Sequence, residues 1–167
     1  HYPWPGQLTA LGMDEPIEGP RRYPDATFVR YDGGRFPFDD LQFDIAHSNA
    51  VLEHVGDHER QRHFLSEMIR VAPRLWITTP SRGFIVDTHT LVPCAHWLPR
   101  SARDVVYRRL GKAWATGEYL NLLYKRDIEC LLEETGATNW KIITNRFALW
   151  PLDHVIVADC SGEVSLP

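Results

Sequence analysis

The chain has 167 residues, 44% hydrophobic and 24% charged, enough for one domain with a sizeable core. Eighteen basic residues against 22 acidic ones give a net charge of -4, so composition offers no support for nonspecific nucleic-acid binding. No apolar run approaches the ~18–20 residues of a membrane span, and His1-Tyr2-Pro3-Trp4-Pro5-Gly6 lacks the basic and apolar regions of a signal peptide. Cys94, Cys130 and Cys160 are widely spaced with no C-x-x-C pair, which fits a reduced, cytoplasmic protein.

Leu8 to Met13 is predicted as a short buried strand ending at Asp14-Glu15. Pro16 to Pro24, with prolines and a glycine, is predicted as loop. Thr27 to Tyr31 is β-rich and predicts a second strand, closed by the turn residues Asp32-Gly33-Gly34. Phe43 to His47 predicts a third. From Asp57 to Val71 the period changes: Phe64, Leu65, Met68, Ile69 and Ala72 form one helical stripe, with Asp57 as N-cap. Leu75 to Thr79 predicts a fourth strand, followed by a loop rich in prolines and histidines that runs to Pro99.

Ser101, with Asp104 three residues on, reads as a capping box opening a helix through Leu110, with Gly111 at its end. Ile128, Leu131 and Leu132 mark a further helix over Asp127 to Thr135. Trp140 to Arg146 and His154 to Asp159 predict two strands separated by Pro151. Strands alternating with helices predict a mostly parallel α/β sheet. The closing pair, joined by about eight residues, is expected to be antiparallel, since a parallel crossover needs a dozen or more. The expectation is a single domain over residues 1–167, with a frayed tail from Ser161 to Pro167.

Phe43-Asp44-Ile45-Ala46-His47-Ser48-Asn49-Ala50-Val51-Leu52-Glu53-His54-Val55, behind Arg35-Phe36-Pro37-Phe38-Asp39-Asp40 and ahead of Trp76-Ile77-Thr78-Thr79-Pro80, resembles the middle of a class I S-adenosylmethionine-dependent methyltransferase. The resemblance spans Leu8 to Ala158. It implies a Rossmann-like α/β sheet with helices on both faces, strand order 3-2-1-4-5-7-6, a C-terminal antiparallel hairpin, and S-adenosylmethionine as cofactor across the C-terminal strand ends. By position, Asp14 matches the acid that bonds the ribose hydroxyls, with Glu15 close behind. Asp32 and Gly33 match the pair that contacts adenine. Ser48 and Asn49, followed by Leu52-Glu53-His54, match the turn that packs beside the methionine part and faces the acceptor.

The resemblance has a gap. The family's first strand and its Gly-x-Gly-x-Gly loop have no counterpart before Asp14. That strand lies between strands 2 and 4, so its loss opens two edges at ~1–3 kcal/mol per buried unsatisfied group. The chain is therefore expected to be an N-terminally incomplete domain; the lesser alternatives are completion by a partner chain or a second copy, or direct pairing of the predicted first and third strands.

The implied activity is methyl transfer to a small-molecule acceptor, anionic ones included. Oxygen is favoured as the acceptor atom because histidines lie on the acceptor side. His54, just past the predicted third of these strands, and His89 and His96, in the loop after the fourth, are the base candidates. Each also has a structural reading, as a helix cap or a packed loop histidine. No metal is expected: His54 and His58 have i, i+4 spacing, but no third ligand is placed. Arg100, Arg103, Arg108, Arg109 and Lys112 read either as a solvated helix face or as a site for an anionic acceptor. Trp114 to Tyr124 reads as core cover, dimer patch or lid. The rival function is a noncatalytic methyltransferase-like subunit or a fragment acting as an interaction module. A dinucleotide or nucleotide-sugar enzyme is weaker, because no fingerprint glycines precede Asp14.

Overall fold

The computed structural model describes residues 5–16 and 18–162, so the end of the predicted tail, 163–167, lies outside the described residues. The chain divides into two compact units, His1–Phe38 and Asp39–Pro167.

In the first unit, β1 (Thr9–Gly12) and β2 (Thr27–Arg30) pair in parallel, with Thr9 opposite Thr27 and Gly12 opposite Arg30. The connection, predicted as loop, holds one helical turn, α1 (Gly19–Arg22). Pro20 is compatible with that turn because the first helical N–H groups need no intrahelical acceptor. Gly19 leaves room for the Phe28 ring, which would have to shift for a Cβ built 2.4 Å from it. After β2, the Gly34 N–H donates to the Asp32 carboxylate at 2.9 Å, and Gly33 turns through φ +89°.

The second unit contains β3 (Ile45–Asn49), α2 (His58–Val71), β4 (Arg74–Pro80), α3 (Arg100–Arg109), α4 (Lys125–Glu134), β5 (Trp140–Phe147) and β6 (Trp150–Asp159). Its sheet order is β3-β4-β6-β5. β3 and β4 are parallel; β6 runs antiparallel to both β4 and β5. This is the 4-5-7-6 half of the order implied by the resemblance, and the β1-β2 pair is its 3-2 half. β1 and β3 belong to different sheets.

The elements follow the predictions with local shifts. β3 starts two residues late because the Phe43 N–H donates to the Val71 carbonyl at 3.0 Å rather than to a strand. Asp57 caps α2, accepting the Arg60 N–H at 3.0 Å, as predicted. The capping box predicted at Ser101 is absent: Pro99 is the N-cap of α3, and the Asp104 carboxylate is engaged by Arg103 and the Gly117 N–H instead. The closing hairpin is tighter than predicted. Ala148, at φ +53°, and Leu149 alone join the strands. Pro151 lies inside β6, where Asn145 opposes Asp153 and Arg146 opposes Pro151, so a bulge accommodates the missing N–H.

One face of the four-stranded sheet is apolar. Leu75, Ile77, Ile156 and Ala158 are buried on it; α2, which packs on β3 and β4, buries Leu65, Met68 and Val71, and α4 buries Ile128, Leu131 and Leu132. Arg74 and Trp76 point to the other face and are exposed. No helix among the described residues is long and apolar enough to cross a membrane.

His154, opposite Thr79 on the buried face, is itself buried, with its Nδ1 3.0 Å from the Thr144 hydroxyl. Burial lowers its pKa from the ordinary 6.5. The unfolded chain then binds more protons than the folded one below about pH 6.5, so stability falls as pH drops through that range. Burial moves His96 in the same direction. Urea unfolding at pH 7.5 and 5.5 is expected to show this loss, and a smaller loss in His154→Gln; an unchanged loss assigns it elsewhere.

Candidate active site

β3 and β4 are parallel, so the chain leaves both at the same end of the sheet, where open α/β sheets bind ligands. After β3, Ala50 takes the left-handed conformation at φ +52°, its N–H donating to the Thr78 carbonyl at 2.9 Å. This turn leads into a 3-10 helix, Leu52–His54. Glu53 is 0% exposed. Its Oε2 accepts from the Thr79 hydroxyl at 2.9 Å, and its Oε1 lies 3.2 Å from His89 Nε2 and 3.9 Å from His54 Nε2.

His89 is delivered by the loop after β4. Buried Asp87 accepts the N–H groups of His89 and Thr90 at 3.0 and 3.1 Å, and its carbonyl accepts that of Leu91 at 2.8 Å. These three bonds fix the turn that carries the imidazole. His54 Nδ1 lies 3.2 Å from the Tyr119 carbonyl, which only accepts. That nitrogen therefore carries the proton, and Nε2 of the neutral ring presents a lone pair. The two imidazoles meet edge to face, with centroids 4.6 Å apart.

A strap of residues holds this arrangement. The Asn121 N–H donates to the Glu53 carbonyl at 2.8 Å, and its side-chain amide donates to the carbonyls of Gly56 and Glu118. Buried Gln61, on α2, donates to the carbonyls of Leu52 and Asn121. Arg103 donates to the Gly117 carbonyl at 2.8 Å and to Asp104. Arg100 pairs with Glu118 and donates to Asn121. Arg100 and Arg103 of the predicted anion cluster thus tie down the segment before α4.

His54 and His89 come together; His96 does not join them. His96 is buried, with Nε2 3.1 Å from the Arg82 carbonyl, in the wall of a cavity of about 390 Å³. Arg82, Arg103, Tyr107 and Asn121 also line this cavity, so it shares the Tyr119–Asn121 strap with the Glu53 cluster. Among the described residues the Arg82 guanidinium has no carboxylate partner and lies over the Tyr124 ring at 5.3 Å.

Ser48 is buried at the end of β3, and its hydroxyl has no hydrogen-bond partner among the described residues. Asn49 accepts from the Thr78 hydroxyl. In the first unit, Asp14 follows β1 and Asp32 follows β2, so both leave the same end of that parallel pair. Asp14 is exposed beside a cavity of about 200 Å³, whereas Glu15 is engaged by Arg30 at 2.9 Å. This separates the two acids that the sequence left adjacent.

Sequence reasoning placed Glu53 only as part of the turn that faces the acceptor, and assigned no role to Thr79 or the Tyr119 carbonyl. Glu53 carried the only signal: a carboxylate beside a histidine in the turn after a strand.

The family model described as "Methyltransferase domain" matches residues 5–74. No match is found among curated proteins. A possible exported protein from Bordetella parapertussis superposes with TM-score 0.62 at 15% identity, over 91% of this chain and 52% of that one. The DszA carbon methyltransferase gives 0.59 at 17% identity, over 95% and 41%. An S-adenosylmethionine-dependent methyltransferase from Methanosarcina mazei gives 0.53 at 16% identity, over 90% and 80%. The chain spans about half the length of the first two. Architecture and sequence match agree: this chain has the Rossmann-like fold of the class I S-adenosylmethionine-dependent methyltransferases.

Proposed function

We propose that this chain carries the acceptor side of a cytoplasmic enzyme that transfers a methyl group from S-adenosylmethionine to an oxygen atom of a small molecule. The observation that carries the reading is the buried Glu53 with His54 and His89, set at the C-terminal ends of a parallel strand pair in a methyltransferase fold. The Arg82-lined cavity beside it supports an acceptor with an anionic part.

The available groups suit the cofactor. Among the described residues of the first unit, the exposed Asp14 carboxylate has no partner, which suits it to ribose hydroxyls. Asp32 and the Gly33 N–H suit adenine. In the second unit, the Ser48 hydroxyl, which has no partner among the described residues, and the Asn49 amide suit the polar methionine end. When bound, S-adenosylmethionine supplies an electrophilic methyl group on a sulfonium. The chain's own groups then have two tasks. The cavity and strap hold the acceptor oxygen in line with the methyl carbon, which is the larger part of the rate gain in such displacements. His54 Nε2 takes the hydroxyl proton as the O–C bond forms and the C–S electron pair stays on sulfur. Glu53 fixes the neighbouring His89 and balances the positive charge that arises on His54.

Calorimetric titration of the 167-residue chain with S-adenosylhomocysteine is expected to show micromolar affinity. Asp32→Ala is expected to weaken it about 10–100-fold, the loss of one charge-assisted hydrogen bond. An unchanged affinity at an unchanged unfolding midpoint removes Asp32 from the site. His54→Ala is expected to leave that affinity in place and, with an acceptor, to lower turnover by about 10²–10⁴. Full turnover makes His54 a structural residue.

A further inference from the structure

We infer that Glu53, His54 and His89 form a site for one divalent transition-metal ion, with coordination positions left open for an acceptor oxygen. One carboxylate oxygen and two imidazole nitrogens lie within 4.8 Å of one another. The separations from Glu53 Oε1 are 3.2 Å to His89 Nε2 and 3.9 Å to His54 Nε2. Metal–ligand bonds of about 2.1 Å place tetrahedral neighbours about 3.4 Å apart, between these two values.

The tautomer of His54 strengthens the case. Its Nδ1 proton is committed to the Tyr119 carbonyl, so the lone pair of Nε2 and the oxygen of Glu53 stand near each other with no proton of the neutral ring between them. A cation there resolves the repulsion. An N–H donated to a backbone carbonyl is also the usual way a metal-ligating histidine is oriented. His89 becomes a ligand by moving its proton to Nδ1. Glu53 is fully buried, and among the described residues only the two imidazoles come within ion-pair distance of its carboxylate. A buried carboxylate without arginine or lysine calls for another positive charge.

Two nitrogens and one oxygen suit zinc, cobalt, manganese or ferrous iron rather than calcium, and three protein ligands are the number found where a metal keeps an open position. The imidazoles are each 23% exposed, so that position faces a reachable space. The sequence-based expectation of no metal paired His54 with His58. In the fold, His58 turns to Glu134 at 2.8 Å, and the missing ligands come from the neighbouring residue and from a loop 35 positions away. The metal's task rests on the methyl-transfer reading: it would bind the acceptor hydroxyl and lower its pKa, so that the proton passes to solvent water while the imidazoles act as ligands. The site itself rests only on the geometry.

The test is titration of the full chain with Co²⁺, followed by its visible absorption, then displacement by Zn²⁺. One Co²⁺ per chain with micromolar affinity is expected, weakened at least tenfold by Glu53→Gln and by His89→Ala and unchanged by His58→Ala. Should Glu53→Gln fail to fold, His89→Ala decides, because its ring sits on a loop and is part-exposed. No absorption with folded protein, or equal binding by His89→Ala, overturns the site. Parallel titration with S-adenosylhomocysteine keeps the two readings apart. Metal binding without cofactor affinity leaves the metal site and removes cofactor binding by this chain; the reverse removes the metal site alone.

Discussion

Everything at the candidate site depends on β4. It is flanked in register by β3 on one side and β6 on the other, so its backbone groups are satisfied along both edges. Its buried residues alternate, Leu75, Ile77, then Thr79. The first two fill the core against α2. The third stands where the apolar face runs out and offers a hydroxyl instead of a methyl group. That hydroxyl meets Oε2 of Glu53, which lets a carboxylate occupy a fully buried position at the strand end. An unbonded buried carboxylate is costly by several kcal/mol in real proteins, so the Thr79 bond and the His89 bond are conditions of the local fold as well as features of a site.

The parallel relation of β3 and β4 then decides what can meet there. Parallel strands send their following segments out at one end, so the Leu52–His54 helix and the Asp87–Leu91 turn converge although they are far apart in sequence. Convergence alone does not hold an imidazole in place. Asp87 does so for His89 through two backbone N–H groups, and the Tyr119 carbonyl does so for His54. Both anchors lie outside the catalytic candidates themselves. A rigid support of this kind is what keeps reacting groups near a productive geometry.

How much of this was legible in the sequence follows from the range of the interactions. Periodicity located α2 and α4, and short apolar or β-rich runs located the six strands of the described residues, since both are local properties. The Asp57 cap was legible for the same reason. The two-residue turn at Ala148-Leu149 was not, because the left-handed turn residue is an alanine, not the usual glycine or asparagine. At the site, the position of His54 after its strand followed from the motif. Its meeting with His89 did not, because a loop conformation set by buried Asp87 cannot be read from spacing. Nor could the basic run at Arg100 to Lys112 be divided. Arg103 is consumed by Asp104 and Gly117, a fact of packing.

The segment before α4 shows why that division matters. Arg100, Arg103 and Asn121 spend their donors on carbonyls and acids between Gly56 and Asn121, and Gln61 adds two more bonds from α2. The product of all this bonding is the placement of one carbonyl, that of Tyr119, against His54 Nδ1. A carbonyl cannot donate, so it fixes which nitrogen of the ring is protonated, and thereby leaves the other nitrogen as a lone pair beside Glu53. Whether a substrate proton or a metal ion occupies that position, the strap has already chosen the chemical character of the site. A loosened strap would release the tautomer and blur the difference between base and donor, without touching a single group that contacts the acceptor.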